Sequence, residues 1–288
     1  MRVLNPGYSD TLSDDVQTEL NYLTKEAKHK EEKPYEMRYD TGGVIPHTNM
    51  SSDLRTITIR NFRPLQDPRS FIEYGFRVAN VDCSMTEAAF DDDEKVETQY
   101  YPAVEKLLQQ MFPDAAEIRV LEHGVSQRDA QFNANSEELF ETVQSATAVH
   151  IDYSPYSAAR TARAFTTKLD EYKRLLTVNV WKSLQGPGND WPLALCDSRI
   201  IDHKSDSIVA DVVFTNRFTE NERLYYNPKH EWYYFKDLED DEVILLRQTD
   251  SALEGAGGVA RVSIYNPKAD PNAAARASVE VRAYVLFE

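Results

Sequence analysis

The chain has 288 residues, enough for one large domain or two small ones, and its 41% hydrophobic content with 12 Phe, 16 Tyr and 3 Trp supports a sizeable core. Lys plus Arg is 32 against 48 Asp plus Glu, a net charge of −16. That balance argues against nucleic acid and anionic membrane surfaces, which need clustered positive charge. No run approaches the roughly 18 apolar residues of a membrane span. Met1 to Pro6 has no apolar signal segment, and Cys83 and Cys196 have no paired spacing. The expectation is a cytoplasmic protein, with no nucleic-acid and no membrane partner, that meets a small molecule in a local pocket.

In chain order, residues 1–50 are polar and read as an N-terminal arm wrapping the body, an arrangement that would suit a homodimer. Residues 54–61 alternate as a strand, and residues 71–78 read as a second. Residues 86–112 are mostly helical, divided at Pro102, where the missing backbone donor breaks the ladder. Val104, Leu107, Leu108 and Met111 fall on one face of its second half, a core stripe.

From residue 118 the pattern turns to strands: 118–122, 146–152, 176–181, 193–197, 207–215, 231–235, 242–247, 259–265 and 278–287, with one helix over 156–175. Many short strands with turn-rich joins predict a mainly β barrel or sandwich carrying helices outside, as a single domain over 51–288. With no GxGxxG, GxxxxGK or GxSxG present, dinucleotide, P-loop and serine-hydrolase readings lack their backbone.

The motif that carries chemistry is Val149-His150-Ile151-Asp152-Tyr153-Ser154. His150 and Asp152 lie two apart at a strand end, so both side chains point to one face and could meet one metal. An imidazole and a carboxylate so placed supply two ligands of a facial iron site, which needs a second imidazole from elsewhere. The same pair also occurs as a plain hydrogen-bonded strand end.

Several blocks recur in order from about residue 54 to the C-terminus: Phe90-Asp91-Asp92-Asp93-Glu94, Tyr100-Tyr101-Pro102-Ala103-Val104-Glu105, His150-Ile151-Asp152-Tyr153-Ser154, Asn179-Val180-Trp181-Lys182-Ser183-Leu184, Asp190-Trp191-Pro192-Leu193, His230-Glu231-Trp232-Tyr233-Tyr234-Phe235 and Arg276-Ala277-Ser278. In these blocks the chain resembles the CmcJ/NvfI-type, or AsaB hydroxylase/desaturase, family of secondary-metabolite proteins. The resemblance implies a double-stranded β-helix (jelly-roll) core of the Fe(II)/2-oxoglutarate oxygenase type. It implies His150 and Asp152 as proximal iron ligands and Arg276, with Ser278, as the grip on a 2-oxoglutarate carboxylate. The distal histidine that would complete the triad maps onto Arg261, and no histidine follows His230. Lys182 stands where the family often has arginine, and His123 matches a position near the pocket.

A guanidinium has no lone pair for a metal and is cationic at any working pH. The expectation is therefore a redox-neutral enzyme that uses no cofactor. His150, Asp152, Arg261, Lys182 and Arg276 are its candidate catalytic residues, several as hydrogen-bond donors to a substrate carbonyl. Tyr153, Trp181, His123, His230, Trp232 and Phe235 are the candidate substrate-binding residues, although such aromatics also serve as ordinary barrel core. Within the resembling family, the hetero-Diels–Alder enzymes of fungal tropolone–sesquiterpenoid pathways are the nearest precedent. They imply cycloaddition of a polyketide-derived quinone methide with a terpene alkene. The alternatives are a hydroxylase or desaturase using Fe(II) and 2-oxoglutarate, with His150 and Asp152 as metal ligands, and a non-catalytic binding protein for a small natural product.

Overall fold

The computed structural model describes residues 14–127, 147–253 and 257–288. Met1 to Pro6, the first residue of the strand expected over 146–152, and residues 254–256 lie outside them. The strands are β1 (Val16–Leu23), β2 (Tyr35–Met37), β3 (Ser52–Asn61), β4 (Phe76–Asn80), β5 (Glu117–Gln127), β6 (His150–Ile151), β7 (Arg174–Ser183), β8 (Leu193–Cys196), β9 (Ser207–Val213), β10 (Phe218–Leu224), β11 (Trp232–Tyr234), β12 (Glu242–Asp250), β13 (Arg261–Ser263) and β14 (Ala277–Phe287). They form a nine-stranded sheet, β1-β3-β11-β8-β13-β6-β10-β9-β2, and a five-stranded sheet, β4-β12-β7-β14-β5. The fold is mainly β, a jelly roll with flanking helices.

Strand alternation divides the apolar residues into separate cores. On the five-stranded sheet, Val279, Val281, Ala283 and Val285 of β14 join Leu176, Val178 and Val180 of β7 under the helix Tyr101–Met111. That helix buries Val104, Leu107 and Leu108, the stripe its sequence predicts. The opposite face looks into the jelly roll, where Trp181 packs with Phe62, Phe76, Leu193, Leu195 and Phe235. A further core holds Tyr22, Val149, Ile151, Trp232 and Tyr234. It is closed by β1, which pairs with β3 and bridges back from Asn21 to Ala148 and from Leu23 to Tyr225. The described residues 14–50 thus contribute two strands, and Leu20 and Tyr22 of β1 are buried.

Local chemistry explains where sequence periodicity misleads. The strand expected over 71–78 is a helical turn, Ser70–Glu73, followed by β4. The turn between them needs Gly75, at φ 92°, where a Cβ would lie 2.5 Å from Val259 Cγ2. Residues 93–111 are one helical run, and its pattern changes from a π turn at Val96–Tyr100 to an α-helix at Tyr101–Met111, the division expected at Pro102. The helix expected over 156–175 ends at Phe165. Strand β10, Phe-Thr-Glu-Asn-Glu-Arg-Leu, is too polar to announce itself, yet it pairs with both β6 and β9.

One irregularity matters for the interior. The β12–β7 ladder pairs Leu246 with Asn179, Arg247 with Val178 and then Thr249 with Thr177, which leaves Gln248 as a bulge residue. Gln248 is fully buried, and its Oε1 accepts the backbone N–H of Asp152 at 2.9 Å.

Candidate functional site

His150 sits in a strand of two residues whose neighbours define its direction. Val149 and Ile151 enter the core closed by β1, so His150 faces the opposite way, into the jelly roll. Its cross-strand partners are Arg261 on β13 and Arg223 on β10. Asp152 follows immediately, and Arg261 reaches it through Nε at 3.1 Å and through Nη2 at 2.8 and 2.6 Å. The same guanidinium turns its other edge to Glu280 of β14, through Nη1 and, at 2.9 Å, through Nη2. Asn179 of β7 donates to both carboxylates, at 2.7 Å to Asp152 and 3.0 Å to Glu280. His150 Nε2 stands 3.0 Å from Asp152 Oδ1, and Nδ1 donates to the Ala148 carbonyl at 2.8 Å. Arg282, two residues beyond Glu280 and so on the same face, stacks 4.7 Å over the Tyr153 ring and pairs with Glu122.

This is a buried charge cluster, and its members titrate differently. Burial pushes the Asp152 carboxyl up, but Arg261, His150 and Arg282 outweigh that and hold it well below the usual carboxylate range. Burial also pushes Glu280 up; Arg261 opposes this, Asp152 adds to it, and the net shift is upward. Arg261 loses to burial less than it gains from the two carboxylates and is a firm cation. Asp152 is the fixed anion of the cluster and Glu280 the more readily protonated one.

The structure brings together only some of the residues proposed from sequence. His150, Asp152, Tyr153 and Arg261 meet in the cluster. Trp181 lies on the same inner face of β7 as Asn179, and Arg276 stacks over it at 5.4 Å. The Arg276 Nη1 donates to the Trp191 carbonyl at 2.7 Å and to Ser263 Oγ at 3.0 Å. The remaining placements are corrections. Lys182 follows Trp181 and must point the other way; it lies on the helix-covered face and donates to the Asp240 carbonyl. His123 is also on that face, bonded to Tyr101 Oη at 2.9 Å and Asp93 at 3.2 Å. His230 and Trp232 belong to the core closed by β1, where both contact Tyr22. Phe235, by contrast, packs with Phe62, Phe76 and Trp181 on the interior side.

Sequence reasoning missed Asn179, Glu280 and Arg282. A signal existed: Ser278, Glu280 and Arg282 alternate with Val279, Val281 and Ala283, so a strand with one apolar face sends its charges to the other.

An open cavity of about 1040 Å³ lies elsewhere, between the loops 184–190 and 266–274, and is lined by Lys236, Lys268 and several carboxylates. The charge cluster has the chemistry and the position inside the jelly roll; the cavity has neither. Among the described residues no helix is long and apolar enough to cross a membrane.

A jelly roll with a His-x-Asp pair pointing into its interior defines the oxygenase class of β fold. Residues 20–286 match the family described as "Oxidoreductase/YMDC permease-like domain", and the chain belongs to that family. The hydroxylase/desaturase efuI of Hormonema carpetanum is 26% identical, with 96% of each chain covered. The Fe(II)/2-oxoglutarate-dependent dioxygenase nvfI of Aspergillus novofumigatus is 26% identical over 94% of this chain and 96% of its own. The solved structure of the iron and alpha-ketoglutarate-dependent endoperoxidase NvfI superposes with a TM-score of 0.80 at 21% identity, covering 95% of this chain and 98% of that one. The family is the secondary-metabolite oxygenase-like family that the sequence blocks resemble, and this member of it is an enzyme.

One of these relatives overturns the expectation of an enzyme without a cofactor: nvfI is an Fe(II)/2-oxoglutarate-dependent dioxygenase, so both groups are implied for the family. The residues of this chain do not fit the iron as they are arranged. Iron would need lone pairs from His150 and Asp152 and a third ligand. Here both Asp152 oxygens accept from Arg261, both His150 nitrogens face oxygen acceptors, and the cross-strand partner of His150 is a guanidinium. Among the described residues no three His, Cys, Asp or Glu group in a way that could hold a metal.

Proposed function

We propose that this enzyme acts on a small secondary metabolite at the Asp152–Arg261 cluster and closes a ring in it without net oxidation. A hetero-Diels–Alder-type addition of a polyketide-derived quinone methide to a terpene alkene is the most specific form of this reading. One observation carries it: Arg261 spans Asp152 and Glu280 and holds both carboxylates. Two carboxylates hold that guanidinium and Asn179 ties them to each other, so the positive end of the site is fixed before substrate enters. Such a field polarises an electron-poor partner with no reorganisation at the moment of reaction. The apolar wall of Trp181, Leu193 and Leu195 excludes water and favours folding two reacting ends together.

A second reading is oxidation, and the named activities of the relatives favour it more than they favour ring closure. Fe(II) and 2-oxoglutarate would supply oxygen activation, and His150 and Asp152 would be the residues to hold the metal.

Product mass separates the readings. Incubation with a quinone methide and a terpene alkene, Fe(II) and 2-oxoglutarate should yield a product whose mass equals the sum of the quinone methide and the alkene, with no succinate. Succinate formed in step with a product that has gained oxygen or lost two hydrogens establishes oxidation and removes the first reading.

A further inference from the structure

We infer that Arg282 is the anchor for the substrate, and that the substrate presents to it an ionised oxygen of the phenolate, enolate or carboxylate kind. The inference rests on the reading that chemistry takes place at the Asp152–Arg261 cluster. Of the two guanidinium groups that reach Asp152, Arg261 and Arg282, the second is the less fully used. Arg261 is 14% exposed at the side chain and makes several close bonds to two buried carboxylates. Arg282 is 21% exposed, and its Nη2 stands 3.5 Å from an Asp152 oxygen that already accepts from Arg261 and Asn179. Its close ion pair is to Glu122, which is 58% exposed. A pair with so wet a partner is weak and easily exchanged. Arg282 Nε is buried and meets no acceptor, a deficit that a bound oxygen atom could relieve. The guanidinium is oriented from beneath by the Tyr153 ring, which leaves its edge for a ligand.

The charged groups facing Arg282 are therefore Asp152 and Glu280 from inside, both engaged by Arg261, and Glu122 from the rim. An incoming anion displaces Glu122 and takes over its bond. The neighbouring Arg261 adds to the local attraction, which should weaken as ionic strength rises.

The test is binding, independent of turnover. Para-nitrophenol is titrated near its own pKa, where absorbance reports the bound phenolate, and benzoate is titrated calorimetrically; nitrobenzene serves as the neutral control. The full-length protein should bind at least one anion and not nitrobenzene. Preference for nitrophenolate assigns a phenolate or enolate substrate, and preference for benzoate a carboxylate. Arg282→Gln should weaken the favoured anion about tenfold or more. Glu122→Gln, which removes the competing carboxylate, should tighten it about two- to fivefold. Should Arg282→Gln fail to fold, Arg282→Lys keeps the charge without the fork and should still weaken binding. Equal affinity in wild type and the Arg282 variants overturns the inference. So does unchanged or weaker binding in Glu122→Gln, or binding of neither anion by the wild type. Ring closure proceeding normally while these fail would leave the proposed reaction standing and remove Arg282 from it.

Discussion

His150 and His230 are both buried, and each has a carboxylate at hydrogen-bonding distance, yet they belong to different kinds of structure. Around His230 the network closes on itself. Trp232 Nε1 donates to Tyr22 Oη at 2.7 Å, so Tyr22 gives its own proton to His230 Nδ1 at 3.3 Å, and His230 Nε2 donates to Asp206 at 3.3 Å. Burial pushes the Tyr22 hydroxyl up, which keeps that proton in place. Asp206 is further held by Asn227 and by the backbone of Asp202. Around His150 the partners are charges: Arg261, Arg282 and Arg223 with Asp152 and Glu280. Such a cluster keeps polar capacity in reserve, since Asn179 Oδ1, Gln248 Nε2 and Arg282 Nε are buried without partners. A finished network tells of structure, and an unfinished one inside a fold tells of a site.

The contrast can be broken from either side. Asp152→Ala should have the largest effect, because it leaves Arg261 and His150 in the interior without their anion. The expected loss is about 3–5 kcal/mol in chemical unfolding. Denaturation within 1 kcal/mol of wild type would show that Glu280 alone carries the cluster. Tyr22→Phe should cost less, about 1–3 kcal/mol, by orphaning Trp232 Nε1 and His230 Nδ1, and it should leave anion binding at Arg282 unchanged.

The smallest effect is one of pH. Burial depresses His230 below its ordinary value, with Asp206 opposing. The unfolded chain therefore takes up the proton first as pH falls. Stability contributed by the neutral ring is present above about pH 6.5 and declines below it. Urea midpoints measured across that range should show this decline, and His230→Gln should flatten it.

Much of this molecule is legible in its sequence, and the boundary of legibility is physical. The periodic strands at β3, β7, β12 and β14 announce themselves, and so does the Val104–Leu108 stripe. The His-x-Asp pair is legible in the motif itself, and Arg261 stands out only through the family resemblance. Strand β10 was hidden because Glu220, Glu222 and Arg223 read as surface, whereas pairing with β6 draws Glu222 and Arg223 inside. Trp181 and Lys182 could not both have faced one pocket, since successive strand residues point to opposite sides; the sequence carried that warning. Glu280 and Arg282 escaped for another reason. A charge on a strand reads as solvated until the opposing sheet, with Arg261 on it, is known to be there.

The bulge at Gln248 carries a consequence for how this chain can change. Ahead of it, even-numbered Ile244 and Leu246 enter the interior; beyond it, odd-numbered Thr249 pairs with Thr177 on that same side. The strand is thus written in two reading frames joined at one residue. Descendants can exchange side chains along it freely, but losing or gaining a single position there turns one half of the strand inside out. The carboxamide that receives the Asp152 backbone is part of the same join. Drift in this lineage should therefore spare the length of β12 even where it rewrites the letters.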